Sequence, residues 1–201
     1  MRSVLSLLVA LALAVVLASC GGGDDGDDAP QAGDVPAGAV ATVNGVEISN
    51  DDLDAQVAVL ARAQRGKDKK PSSAERKQLQ AQALSTLLQR QALEQEAKDR
   101  GVKVTKAEVR KQWSSVSRSQ FKTRKALRRF LGGQTLNDLL AQLRLQTLSE
   151  RILQQVSEEA GGGKEGAKAA KEFQKEFQQR WQEQTACAKG FKAAGCADDS
   201  Q

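Results

Sequence analysis

After Ser49, apolar side chains recur every three or four residues along most of the chain, the spacing of helices that bury one face. Leu53, Gln56, Val57 and Leu60 set the stripe of a first helix, about residues 50–64, opened by Ser49 and Asp52 in capping-box spacing. A charged loop at 66–71 follows. Ser72 with Glu75 opens a second helix that runs to about Arg100. Its stripe includes Leu84, Leu87, Leu88 and Ala92, and Gly101 is a natural stop. Thr105 with Glu108 starts a third helix, to about Ser117. A short fourth, about Thr123–Leu131, ends at Gly132-Gly133. Thr135 with Asp138 opens a fifth, long helix. Its first half aligns Leu136, Leu139, Leu140 and Leu143; its second half aligns Leu145, Leu148, Ile152 and Val156 on roughly the opposite side. Such an element leaves one packed bundle and meets another surface. Gly161-Gly162-Gly163 break it, and a last amphipathic helix, about Glu165–Gln184, carries Phe173, Phe177 and Trp181 at i, i+4 and i+8. That stripe is expected to anchor the helix onto the domain, ahead of the alternative of an exposed ladder for a partner.

Residues 39–48 read differently. Two short β-prone runs flank Asn44-Gly45, the strongest two-residue hairpin signal, because both turn positions need positive φ. A hairpin this short does not stand alone in water. Residues 185–191, after the last helix, can run extended and supply a third strand. The expected fold is mainly α: a helical bundle with a small β-sheet made from an N-terminal hairpin and a C-terminal strand.

The start of the chain carries its own signal. Arg2 precedes an apolar run, Val4 to Leu17, too short to span a bilayer and right for a signal peptide. Leu17-Ala18-Ser19-Cys20 resembles a bacterial lipobox, in which the cysteine is lipidated and becomes the first residue. Three glycines and the acidic stretch Asp24 to Asp28 follow as a solvated tether. The expected organisation is a signal peptide at 1–19, a lipidated flexible linker at 20–37 and one domain at 38–201. The protein is then extracytoplasmic, lipid-anchored to the bacterial cell membrane through Cys20. An ordinary secretory signal containing a cysteine is the plain alternative.

Charge and composition narrow the function. The formal net charge is +5, and the basic residues are interleaved with Glu and Asp along helices, so nucleic acid is not the expected partner. Residues 103–129 are locally basic, a stretch suited to anionic headgroups or acidic clients or simply to solvent. Histidine and tyrosine are absent. That removes the commonest general base and metal ligand, and with them a Ser-His-Asp triad, a Cys-His dyad and histidine-ligated zinc. No P-loop, GxGxxG or CxxC is present. No catalytic residue, cofactor or metal is expected. Cys187 and Cys196 are the other two cysteines. In an oxidising compartment they are expected to form a disulfide, with free thiols as the alternative.

The run Ala39-Val40-Ala41-Thr42-Val43-Asn44-Gly45-Val46-Glu47-Ile48-Ser49-Asn50-Asp51-Asp52-Leu53 resembles the start of the SurA-type N-terminal chaperone domain, shared by periplasmic SurA and the PrsA foldase lipoproteins. The stretch from Leu84 to Val109 looks like that family's second helix, its glycine stop and the next helix. Gly133-Gln134-Thr135-Leu136 and the leucines behind it are similar to the family's long crossover helix. The resemblance covers about residues 38–158. In the family a helix and strand return to complete the domain, and Phe173 to Phe191 looks like that piece. Most relatives also carry a parvulin-type prolyl isomerase domain before the return. Here only Gly161-Gly162-Gly163-Lys164 and their neighbours stand there, and no histidine is available for a parvulin site.

The resemblance implies a chaperone module without the isomerase: a membrane-anchored holdase for unfolded secreted or envelope proteins. Such a module needs an apolar surface larger than its own core requires. Trp113, Phe121, Leu145, Leu148 and Ile152 are the candidates to line it, and the same residues also suit a core. A dedicated interaction module of one envelope complex is the alternative, and an enzyme with an unrecognised carboxylate site is a third reading.

Overall fold

The computed structural model of the protein describes residues 35–65 and 71–196. The signal peptide, Cys20, most of the linker and most of the 66–71 loop lie outside the described residues. Nine elements follow in chain order: β1 (Ala39–Val43), β2 (Val46–Ser49), α1 (Asn50–Arg65), α2 (Ser73–Asp99), α3 (Lys106–Gln120), α4 (Arg124–Leu131), α5 (Leu136–Glu159), α6 (Gly163–Glu183) and β3 (Thr185–Cys187). The fold is mainly α, six helices with one small antiparallel sheet, as the sequence pattern predicts.

Local chemistry explains the boundaries. Asn44 and Gly45 both adopt positive φ, 48° and 75°, and turn β1 tightly into β2 with Val43 opposite Val46. Ser49 and Asp52 exchange hydrogen bonds at the start of α1: the Asp52 N–H donates to Ser49 Oγ at 3.1 Å, and the Ser49 N–H donates to Asp52 Oδ2 at 3.3 Å. Capping boxes open α2 at Ser72/Glu75, α3 at Thr105/Glu108 and α5 at Thr135/Asp138. Each satisfies backbone N–H groups that the first helical turn leaves without partners.

The sheet order is β2-β1-β3, so β1 is central, and all five of its residues are buried. Ala41, Thr42 and Val43 pair with Cys187, Ala186 and Thr185. The third strand is shorter than the 185–191 run predicted. One further bond continues its ladder, from the Ala188 N–H to the Val40 carbonyl at 2.9 Å. The chain then turns, with the Phe191 N–H returning to the Ala188 carbonyl, and folds back to the Cys187–Cys196 disulfide.

Two apolar cores lie along α2, whose 27 residues span about 40 Å. The first packs β1, Ile48, Leu53 and Val57 against Leu79, Ala83, Leu84, Leu87, Leu88 and Ala92. The second gathers Ala97, Val104 and Val109 with Leu148 and Ile152 of α5. The stripe on α6 joins the two, with Phe173 on the second core and Phe177 and Trp181 on the first. All three rings are half-buried, which is the anchoring role predicted for them.

At the seam, the buried Glu96 carboxylate accepts from Arg100 Nε at 2.5 Å and from Arg180 of α6. Arg100 also reaches Glu159 at 3.4 Å and lies 4.7 Å above the Phe173 ring. The network thereby ties α2, α5 and α6 together. Gly166 sits where α6 crosses α5. A Cβ there would lie 2.3 Å from Ser157 Oγ and 2.6 Å from its carbonyl oxygen.

Two predictions follow from this packing. Gly166→Ala lowers the free energy of unfolding by about 1–2 kcal/mol net of its helix-propensity gain, because a backbone carbonyl cannot rotate away. A denaturant titration reads this directly. Replacing both Cys187 and Cys196 by Ala removes a short cross-link and costs about 2–3 kcal/mol in the same titration. An unchanged midpoint for either variant contradicts the assignment.

Candidate functional site

α1 and α5 both pack on α2 but splay apart from one another, and α3 closes one end. The result is an open cleft of about 900 Å³. α1 lines it with Asp52, Ala55, Gln56 and Val59, a helical stripe set beside the core stripe of the same helix. α2 supplies the floor, with Leu87 and Arg90. α3 contributes Lys106, Val109 and Arg110. α5 contributes Leu140, Ala141, Arg144 and Leu145.

The lining alternates apolar and charged. Val59, Leu140, Ala141 and Leu145 form the greasy part. Around them stand acids and bases of both signs. Arg144 donates to Glu94 at 2.6 Å and to the Val104 carbonyl at 3.3 Å, fixing the α5 wall to α2. Arg90, Lys106 and Arg110 have no carboxylate partner among the described residues. Across the mouth, Arg62 of α1 approaches Asp138 of α5 at 3.7 Å. A partly exposed pair at that distance contributes at most about 1 kcal/mol, so the mouth is held loosely.

Two carboxylates are electrostatically distinct. Burial pushes the Asp138 carboxyl up, but hydrogen bonds from the Thr135 backbone and hydroxyl, with the Arg62 charge, bring it below its ordinary value. Hydrogen bonds from the Thr105 backbone N–H, from Arg151 and from the Thr105 hydroxyl lower Glu108 from 4.5 to about 2. Glu108 meets Arg151 of α5 at 3.0 Å and so joins α3 to α5. Both carboxylates are capping and bridging groups. Among the described residues no three His, Cys, Asp or Glu side chains converge as metal ligands.

The residues singled out from sequence separate. Leu145 lines the cleft. Leu148 and Ile152 are 2% and 1% exposed and belong to the second core, so the expectation that they offer a surface is corrected. Their stripe of α5 faces the second core, while Gln146, Glu150, Gln154 and Glu158 form the exposed side of the same half-helix. Trp113 and Phe121 lie elsewhere, in a ring cluster with Phe130: centroids are 6.0 Å apart for Trp113–Phe121, 6.3 Å for Trp113–Phe130 and 4.8 Å for Phe121–Phe130. Sequence reasoning missed Val59 and Arg90, and marked Lys106 and Arg110 only as members of the basic stretch 103–129. The i, i+3, i+4, i+7 spacing of Asp52, Ala55, Gln56 and Val59 was the available signal, but mixed polarity conceals it.

A family model of the SurA-like N-terminal domain matches residues 1–153. The chain belongs to that family. No curated protein and no solved structure matches it. The SurA-like N-terminal domain is a chaperone-type fold. The matched segment holds β1, β2, α1 to α4 and most of α5, hence every wall of the cleft. The end of α5, α6, β3 and the disulfide lie beyond it, yet they complete the sheet and both cores of this SurA-like domain. Among the described residues, no helix is long and apolar enough to cross a membrane.

The lowered Glu108 carboxyl sets a pH dependence. A carboxylate favoured in the folded state stabilises it fully above the unfolded value near 4.5, and that contribution disappears as pH falls toward about 2. Asp138 acts in the same direction. Acid titration followed by circular dichroism therefore shows stability declining below about pH 4.5. Glu108→Gln flattens part of that decline. An identical acid limb in the variant contradicts the assignment.

Proposed function

We propose that this SurA-like domain is a membrane-anchored extracytoplasmic holdase that binds unfolded or partly folded exported proteins and performs no prolyl isomerisation. The supporting observation is the open cleft, built wholly from the family-matched segment. An unfolded chain presents apolar side chains together with unpaired backbone N–H and C=O groups. A cleft with a greasy strip and charges of both signs receives both without reading sequence. The cleft strip Val59, Leu140, Ala141 and Leu145 takes the apolar side chains. Arg90, Lys106 and Arg110 take carbonyls and acidic side chains.

Anchoring through a lipidated Cys20 would place the cleft on a tether beside emerging polypeptide. Tethering raises effective concentration, so modest affinity suffices. The absence of histidine from the whole chain supports a role without isomerase chemistry. In this reading residues 38–201 act as one domain.

The test is suppression of aggregation of several unrelated unfolded proteins by the purified chain. Ala141 is exposed and Val59 half-buried, so Val59→Glu and Ala141→Glu leave the cores intact while placing charge on the greasy strip. Each is expected to weaken client binding roughly tenfold, equal to about 1.4 kcal/mol. Suppression of one client alone would favour a dedicated interaction module. Full suppression by both variants removes the cleft from the mechanism, and proline isomerisation above background in a peptide assay overturns the non-enzymatic reading.

A further inference from the structure

The outer end of α3 and the whole of α4 stand apart from both cores. α4 has no buried residue. Three rings meet where α4 lies against α3: Trp113 and Phe121 from the α3 side, Phe130 from α4. Phe130 is 51% exposed, and Val116 nearby is 39% exposed. A solvated helix has no use for three clustered aromatic rings at its surface.

The charge at this tip is of one sign. From Trp113 to Asn137 there is no Asp or Glu, and there are six Lys and Arg. All six are exposed, and none has a carboxylate partner among the described residues. Arg118 alone is engaged, by its own helix, donating to the Ser114 carbonyl at 2.9 Å. On α4 the two chemistries segregate. At 100° per residue Arg124, Lys125, Arg128 and Arg129 fill one side, and Ala126, Leu127, Phe130 and Leu131 fill the other.

We propose that the α3–α4 tip docks on an anionic phospholipid surface, with the Trp113–Phe121–Phe130 cluster at the headgroup boundary and the flanking cations on lipid phosphates. Charge complementarity selects this occupant. A helix with a basic face and a Phe/Leu face lies in the plane of such an interface, and tryptophan sits at headgroup depth. Because α3 carries Lys106 and Arg110 of the cleft at its other end, docking would set the cleft at a fixed distance from the bilayer. This inference is independent of what the cleft binds.

Trp113 is one of only two tryptophans, so Trp181→Phe leaves it as the sole reporter. The full chain is reconstituted on vesicles of phosphatidylcholine alone, or of phosphatidylcholine with phosphatidylglycerol, each with brominated acyl chains. Attachment by the N-terminal segment is then common to both, and only lipid charge differs. Trp113 emission is expected to shift to the blue and be quenched on the anionic vesicles only, and to recover in high salt. Converting Arg124, Lys125, Arg128 and Arg129 to Gln weakens the response by about fivefold per residue. The unsubstituted chain, with both tryptophans, shows the same change at lower amplitude, which covers any folding defect of Trp181→Phe. An equal response on both vesicles, or none on either, overturns the proposal. A response to soluble polyglutamate in place of anionic vesicles overturns it in favour of an acidic protein partner.

Discussion

β1 is hydrogen-bonded along both edges, and the rest of the molecule is arranged around that fact. Its partner on one side is β2, only two turn residues away in sequence; on the other it is β3, more than 140 residues away. A strand with five buried residues cannot leave an edge unpaired without stranding N–H and C=O groups away from water. The chain must therefore return to its own beginning. That return makes α6 double back along α5 and lay Phe173, Phe177 and Trp181 across both cores. The Asn44 N–H, at the tip of the hairpin, accepts this closure directly by donating to the Gln184 carbonyl at 2.8 Å. Gln95 of α2 donates to the Val43 carbonyl at 2.7 Å and fixes the same corner to the spine.

The cleft is a consequence of what this closure leaves unpaired. α6 covers one side of the domain and stabilises the far half of α5, where Leu148, Ile152 and Val156 are buried. The near half of α5 has no such cover. It diverges from α1, and the gap keeps a mixed lining because neither helix supplies a continuous apolar face there. Rigidity therefore resides in the sheet and in the Glu96–Arg100–Arg180 seam. Adaptability resides in the α1–α5 mouth, where the one ion pair observed, Arg62–Asp138, is long.

Much of the fold was legible in the residues. Asn44-Gly45 encodes its turn because few sequences tolerate two consecutive positive φ values. The capping boxes at Ser49, Ser72, Thr105 and Thr135 mark helix starts to within a residue, because each donor and acceptor pair is local. The change of face along α5 was visible in its leucines, but its meaning was not. Leu148 and Ile152 have the same pattern whether they face a partner or a core, and only the placement of α2, α3 and α6 decides. The cleft was illegible for a related reason. Its stripe on α1 mixes Asp, Ala, Gln and Val, so no apolar period reveals it, and its other walls come from residues up to 93 positions away. β3 was placed correctly but drawn too long, because Lys189-Gly190, with Gly190 at φ 92°, turns the chain and brings the Phe191 N–H back to the Ala188 carbonyl.

The closure of the sheet by the chain's end is tested most directly by native-state hydrogen exchange. If β1, β3 and α6 form one cooperative unit, the amides of Val43, Cys187 and Ala188 exchange only through global unfolding, at the same free energy as Leu84 and Leu88 in α2. Exchange of Cys187, Ala188 and α6 at a much lower free energy, with α2 and the β1–β2 hairpin still protected, would show that the domain stands without its returning piece.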